Sequence, residues 1–388
     1  MGGAHDGYDA SQGAGNTVTF LEALSAVAVA SMLAAQTPDS VANTRPVDRP
    51  VPFRISGFVT TSFTYASGAD EGIIVGRMYG RRQARVVLNV ADVIVERLPA
   101  TEHWDIGFRL EPIVGLNAAV VRAAGLDLGR HADLWQSYAV LNVPAGSNRS
   151  VRLRVGKMAT LMGVEVFADI ANPTLDVGPQ DIFLEPFSET GVELEAAPGP
   201  TITVQARVSQ GWDRVTDNNA GKTATVRLGF TPNANTLVAL LGYTGPEQAG
   251  STSPNRSGAE VLLSNRITRR LQGWLQLDYG REGGLGASGD AAEWYAAGIW
   301  LAYQTSRWTG IGLRADYACD CDGGRTSGGL GYPVHSGLSL TSLTGTFNIR
   351  HGTHLLFRPE IRYDHSTLPV FDGSHQQVSG AMGLSYIF

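Results

Sequence analysis

Residues 377–388, QVSGAMGLSYIF, close the chain, and their reading decides the fold. In an extended strand Val378, Gly380, Met382, Leu384, Tyr386 and Phe388 share one face, while Ser379, Ala381, Gly383 and Ser385 share the other. One face is apolar and the other is small and polar. An edge strand of a soluble sheet could read the same way, so the weight comes from repetition of the pattern upstream.

From Phe53 onward the chain parses into about sixteen alternating strands. In the first, Phe53, Ile55, Gly57, Val59, Thr61, Phe63 and Tyr65 alternate with Arg54, Ser56, Thr60, Ser62 and Thr64. The others are expected to begin near Gln83, His103, Asp133, Val151, Thr190, Thr201, Thr223, Asn235, Ser257, Leu271, Glu293, Trp308, Gly337, Thr353 and Gln377. The twelfth places a Tyr at each end of one face, Tyr295 and Tyr303, roughly 26 Å apart at about 3.3 Å per residue. That is close to the height of an apolar membrane band, so the two read as girdle residues.

The connections alternate strictly. Those from even to odd strands are short: 99–102, 144–148, 197–200, 232–234, 268–270, 305–307 and 351–352. Those from odd to even strands are long and polar, including 67–82, 213–222, 245–256, 281–290 and 320–336. A barrel with turns on one rim and loops on the other predicts this parity, and a soluble sandwich does not. The expected fold is therefore an all-β, antiparallel, up-and-down transmembrane β-barrel over residues 53–388, with both termini periplasmic.

Composition agrees. Gly numbers 47, charged residues are 17%, and mean hydropathy lies near zero. No run reaches the 18 or so apolar residues of a spanning helix. The formal charge of -6 and the lack of a Lys/Arg stripe argue against a nucleic-acid partner. Residues 1–36 are expected to hold an export signal, with an apolar segment over 23–35 and small residues at Ala34 and Ala35. Asp6, Asp9 and Glu22 stand where such signals carry Lys or Arg, which suggests a start other than Met1. Residues 37–52, rich in proline, read as an extended periplasmic lead-in.

Charges collect on the face opposite the apolar one, as they must if that apolar face meets lipid. The fifteenth strand sets Leu355, Phe357, Pro359, Ile361 and Tyr363 against His354, Arg358, Glu360, Arg362 and Asp364. Elsewhere the same face carries Asp105, Arg109, Glu111, Arg152, Arg154, Gln205, Arg207, Arg227, Arg314 and Asp316. Such a face implies a hydrated lumen, the alternative being salt bridges that plug a narrow barrel. The third long connection, 164–188, mixes Asp169, Asp176, Asp181 and Glu185 with Phe167, Ile170, Leu175, Ile182, Phe183, Leu184 and Phe187. A connection so apolar is expected to pack, and the barrel interior is available.

The closing strand, with its terminal Phe388 and preceding Tyr386, resembles that of outer-membrane β-barrels, whose last residue is read by the barrel-assembly machinery. Residues 156–160 (GKMAT), Gly163, Asn172-Pro173, Glu185-Pro186-Phe187 and Thr190-Gly191-Val192 resemble the middle of β-barrel porins of the OmpL-like type. The resemblance implies a third extracellular loop folded into the lumen, with Asp169, Asp176, Asp181 and Glu185 as constriction acids facing Arg54, Arg109, Arg152 and Arg154. Arg314, Arg358, Glu360 and Arg362 are further candidate pore-lining residues. It also implies outer-membrane lipid as surroundings, small hydrophilic solutes as cargo, no cofactor, and a homotrimer among the assemblies allowed.

Other chemistry is set aside. Gly221-Lys222-Thr223 ends like a phosphate loop, but Thr216 replaces the required first Gly. Cys319 and Cys321 supply half a tetrahedral metal site and read better as an oxidised clip. His351 and His354 have no third ligand. A passive channel, with a slight leaning to anions because inward arginines outnumber inward acids, is the expected function; an adhesin or scaffold barrel and a barrel enzyme are the alternatives.

Overall fold

The structure, a computed structural model, describes residues 53–67, 69, 72–146, 149–286, 289–326 and 337–388. The expected export signal and lead-in lie outside these residues. Sixteen strands follow one another: β1 (Arg54–Ala66), β2 (Arg85–Arg97), β3 (Asp105–Val114), β4 (Ala132–Pro144), β5 (Ser150–Ala159), β6 (Ser188–Ala196), β7 (Ile202–Trp212) and β8 (Thr223–Asn233) form the first half. β9 (Thr236–Pro246), β10 (Asn255–Thr268), β11 (Leu271–Glu282), β12 (Ala292–Gln304), β13 (Thr309–Asp320), β14 (Leu338–His351), β15 (Leu355–Ser366) and β16 (Gln376–Ile387) form the second. Every expected start falls within two residues of the observed one.

Each strand pairs antiparallel with its neighbours, and β16 returns to β1 to close a barrel. The seam is completed by reciprocal bonds in which Gly57 N donates to Phe388 O and Phe388 N donates to Gly57 O, both 3.0 Å. Gly57 is needed there, because a Cβ would strike the Asp92 carbonyl and the Phe388 ring. Phe388 stacks on Tyr386 at 6.4 Å.

The two faces separate as the alternation predicts. On β15 Leu355, Phe357 and Ile361 are exposed, while Arg358, Glu360, Arg362 and Asp364 are buried. Tyr295 and Tyr303 are exposed at opposite ends of β12. No helix among the described residues is long and apolar enough to cross a membrane. Two short helices occur in the long connections, α1 (Ala118–Val121) and α2 (Pro179–Leu184). Cys319 and Cys321 are joined by a disulfide at the end of β13. Thr223, the Thr of the phosphate-loop-like tripeptide, opens β8.

The outer face of β14 tests the assignment. Leu343 is exposed near the middle of that strand. Leu343→Arg is expected to cost roughly 2–4 kcal/mol of unfolding free energy in lipid vesicles, read by denaturant titration, since the midplane charges most for a guanidinium.

Candidate functional site

The third long connection runs from residue 160 to residue 187 and contains a 3₁₀ turn at Asp169–Ala171 followed by α2. Its apolar residues Phe167, Val177, Ile182, Phe183 and Leu184 are buried with Met78, Tyr79, Trp135, Trp294, Ala296 and Leu340. Phe167 and Trp135 lie with ring centroids 4.5 Å apart. Glycine on the wall makes room for the segment. A Cβ at Gly312 would collide with the Pro173 carbonyl, and one at Gly383 with the Leu175 side chain.

Its carboxylates meet inner-face arginines of β13 and β15. Asp169 Oδ2 pairs with Arg358 Nη2, its Oδ1 accepts from Thr60 Oγ1 at 3.1 Å, and its carbonyl accepts from Arg358 Nη1 at 2.6 Å. Asp176 faces Arg77 Nε at 3.1 Å and Arg362 Nη1 at 3.5 Å, and accepts from Tyr79 N at 2.9 Å. Glu165 takes Arg314 Nη1 at 2.9 Å and caps Gly178 N at 2.7 Å. Glu360 joins the same group through Arg77 Nη2 and the Leu175 amide, both 2.7 Å. Burial pushes the Asp169 and Asp176 carboxyls up, against Arg358 in the first case and Arg77 in the second. Burial and the nearby Glu165 charge push Asp181 up.

The partners differ from those the family resemblance implied. Arg109 bonds Glu111 at 2.7 Å and Glu96 at 3.1 Å; Arg152 bonds Glu195 at 3.0 Å; Arg154 pairs with Glu193 and with Glu195 at 2.8 Å. Arg54 is exposed at the start of β1. The reason is register. Glu195 and Glu193 stand directly across the β5–β6 ladder from Arg152 and Arg154, so each arginine finds an acid on its own wall before it could reach the connection. Two arginine sets result. Arg314, Arg358 and Arg362 are completely buried against the third connection, whereas Arg109, Arg152 and Arg154 keep part of their side chains accessible.

Three members of the network were not among the sequence candidates. Arg77 sits in the first long connection, where no periodicity marks it. Glu165 lies inside the third connection beside the acids that were singled out. Arg325, after β13, donates to Phe183 O at 2.9 Å and lies over the Trp212 ring at 4.9 Å. Glu185 is held by Gln276 rather than by an arginine.

At the far end of the connection Asp213 Oδ1 accepts from the Phe187 and Ser188 amides at 2.8 and 2.9 Å, at a left-handed position with φ 54°. Burial pushes the Asp213 carboxyl up to about 6, against the pull of those amides.

A closed sixteen-stranded antiparallel barrel with a lipid-compatible exterior and a charged interior is an outer-membrane channel protein. The family model described as "Putative beta-barrel porin-2, OmpL-like" matches residues 52–388, and the chain belongs to that family. The fold is similar to the outer-membrane channel DcaP of Acinetobacter baumannii, with TM-score 0.57 and 11% identity over 87% of this chain and 97% of that one. It is likewise similar to Pseudomonas putida OprB, with TM-score 0.57 and 11% identity over 87% and 94%. The anion-selective porin from Comamonas acidovorans gives TM-score 0.54 and 10% identity over 87% and 99%. No curated protein matches the sequence.

Two outcomes test the network. Arg358→Ala strips Asp169 of its guanidinium and should free that part of the connection, raising single-channel conductance and its open-state noise in planar bilayers. For Asp213, a carboxyl raised in the fold adds stability when protonated and loses it as pH climbs through about 6. Asp213→Asn should therefore flatten the fall in stability between about pH 4 and pH 7, measured by denaturant unfolding.

Proposed function

We propose that this porin passes small hydrophilic solutes by passive diffusion, that its third connection folds into the lumen and narrows it, and that anions are favoured. The observation that carries the preference is the asymmetry of exposure within the accessible pairs. Arg152 is 23% exposed and its partner Glu195 5%; Arg154 is 13% exposed and Glu193 1%; Arg109 is 22% exposed and Glu111 3%. In each of these pairs the arginine side chain is the more exposed partner, so a passing ion meets positive charge first, although Glu96, the second partner of Arg109, is itself 17% exposed. Asp169 and Asp176 add little opposing field, because they are buried against arginines. On this reading Asp169, Asp176, Glu360, Arg314, Arg358 and Arg362 hold the constriction in place, and Arg109, Arg152 and Arg154 line it.

The short-turn rim, where Phe53 and Phe388 lie, is then periplasmic, and Phe388 is available to the assembly machinery. Assembly as a homotrimer is part of the proposal, supported by the trimer form in which OmpT of Vibrio cholerae, a similar barrel, is described.

Reversal potentials across a salt gradient test the preference. Purified protein in planar bilayers should give discrete conductance steps with an anion-favouring potential, and Arg152→Gln with Arg154→Gln should shift the permeability ratio toward cations by about twofold or more. Wild-type protein that gives no steps, or an unchanged ratio in the double variant, would remove the proposal.

A further inference from the structure

Glu185, Glu260 and Asp278 come from three separate elements: the residue after α2, β10 and β11. Each places a carboxylate oxygen within 4.8 Å of the other two. All three are buried, at 2%, 1% and 6% exposure. None of the ion pairs among the described residues includes any of them. The contrast with the rest of the network is sharp, since Glu165, Asp169 and Asp176 each face an arginine.

What the three share instead is the amide of Gln276. Its Nε2 lies within bonding reach of Glu185 Oε1, of Glu260 Oε2 at 3.2 Å and of Asp278 Oδ2 at 2.9 Å. One NH₂ group has two hydrogens and cannot satisfy three acceptors. Gly163 N supplies Glu260 Oε2 at 2.7 Å, and Gln180 Nε2 supplies Asp278 Oδ2. The second oxygen of each carboxylate, Glu185 Oε2, Glu260 Oε1 and Asp278 Oδ1, is buried without a hydrogen-bond partner. Arg227 on β8 donates to Gln205 at 3.3 Å, and its charge acts on Glu260 without a hydrogen bond or ion pair between them.

A neutral group lies beside the cluster. Gln180 is 1% exposed, its Nε2 is bonded to Asp278, and its carbonyl oxygen Oε1 is also without a partner. That oxygen lies over Gly298, 2.6 Å from where a Cβ would stand, and Gly298 is the ladder partner of Gln276. An apolar patch of Val164, Leu262, Trp274 and Trp300 lies alongside on the same wall, so bulk water does not screen the repulsion from that side. Four buried oxygens without a hydrogen-bond partner, three of them carboxylate oxygens, thus belong to side chains that share one corner, and none of the ion pairs among the described residues reaches it.

We propose that Glu185, Glu260 and Asp278, with Gln180 Oε1, form a binding site for a hard divalent cation of the calcium class. Oxygen ligands sit at about 2.3–2.6 Å from such an ion, so oxygens on opposite sides of it are about 5 Å apart, and three oxygens within 4.8 Å of one another can share one ion. The ion offsets two of the three negative charges and ties the end of the third connection to β10 and β11, two strands along the barrel from the arginine anchor on β13.

Terbium luminescence tests this in the full chain folded into detergent micelles, because the Trp300 ring lies over the same Gly298 and sensitises a lanthanide bound there. One saturable terbium site per chain at neutral pH, displaced by calcium, is expected. Glu260→Gln should weaken it by about tenfold or more. Glu185→Gln lies outside the sheet and serves as the second variant should the strand substitution prevent folding, which heat-modifiable gel migration reports. No saturable site in the folded wild-type chain, or undiminished binding in the variants that fold, overturns the assignment.

Discussion

Backbone hydrogen bonding in a medium without water is the constraint on which the rest of this structure depends. An open sheet edge in hydrocarbon leaves a row of unpaired amides and carbonyls, each costing several kcal/mol, so the sixteen strands must close on themselves. The β1–β16 ladder, finished by the Gly57 and Phe388 amides, does this. Once the sheet is closed, every strand has a lipid side and an inner side, and the alternation of apolar and polar residues follows as a requirement rather than a preference.

Closure creates a second problem inside. Arginines and carboxylates excluded from lipid crowd the inner face, and a buried charge is tolerated only when paired. The barrel solves this in two ways. On the β5–β6 wall arginines pair across the ladder with acids at directly opposed positions. On the β13–β15 wall they pair with the third connection, which brings Glu165, Asp169 and Asp176 to them. The first arrangement leaves the arginine side chains partly accessible; the second buries them. A single interior therefore contains partly accessible and fully buried ion pairs built from the same residue types.

The strand plan was legible because it rests on local rules. Tyr295 and Tyr303 mark two ends of one face by counting alone, and the parity of short and long connections needs no knowledge of contacts. The acidic residues of the third connection could also be picked out, since a segment carrying Phe167, Phe183 and Phe187 has to pack somewhere. Their partners could not. Arg77 lies in a connection without period, and its meeting with Asp176 depends on how two loops about 100 residues apart are folded over one rim.

By itself the sequence determined the fold class, the strand starts to within two residues, and the alternation of short and long connections between the two rims, because side-chain period 2 and the cost of charge in lipid act residue by residue. Only the tertiary structure decided which arginine meets which carboxylate and which of them stay accessible. It alone brought Glu185, Glu260 and Asp278 together with no ion pair to any of them among the described residues. The physical reason is that barrel closure and the path of an aperiodic connection set those distances, and neither is encoded in the alternation of any one strand.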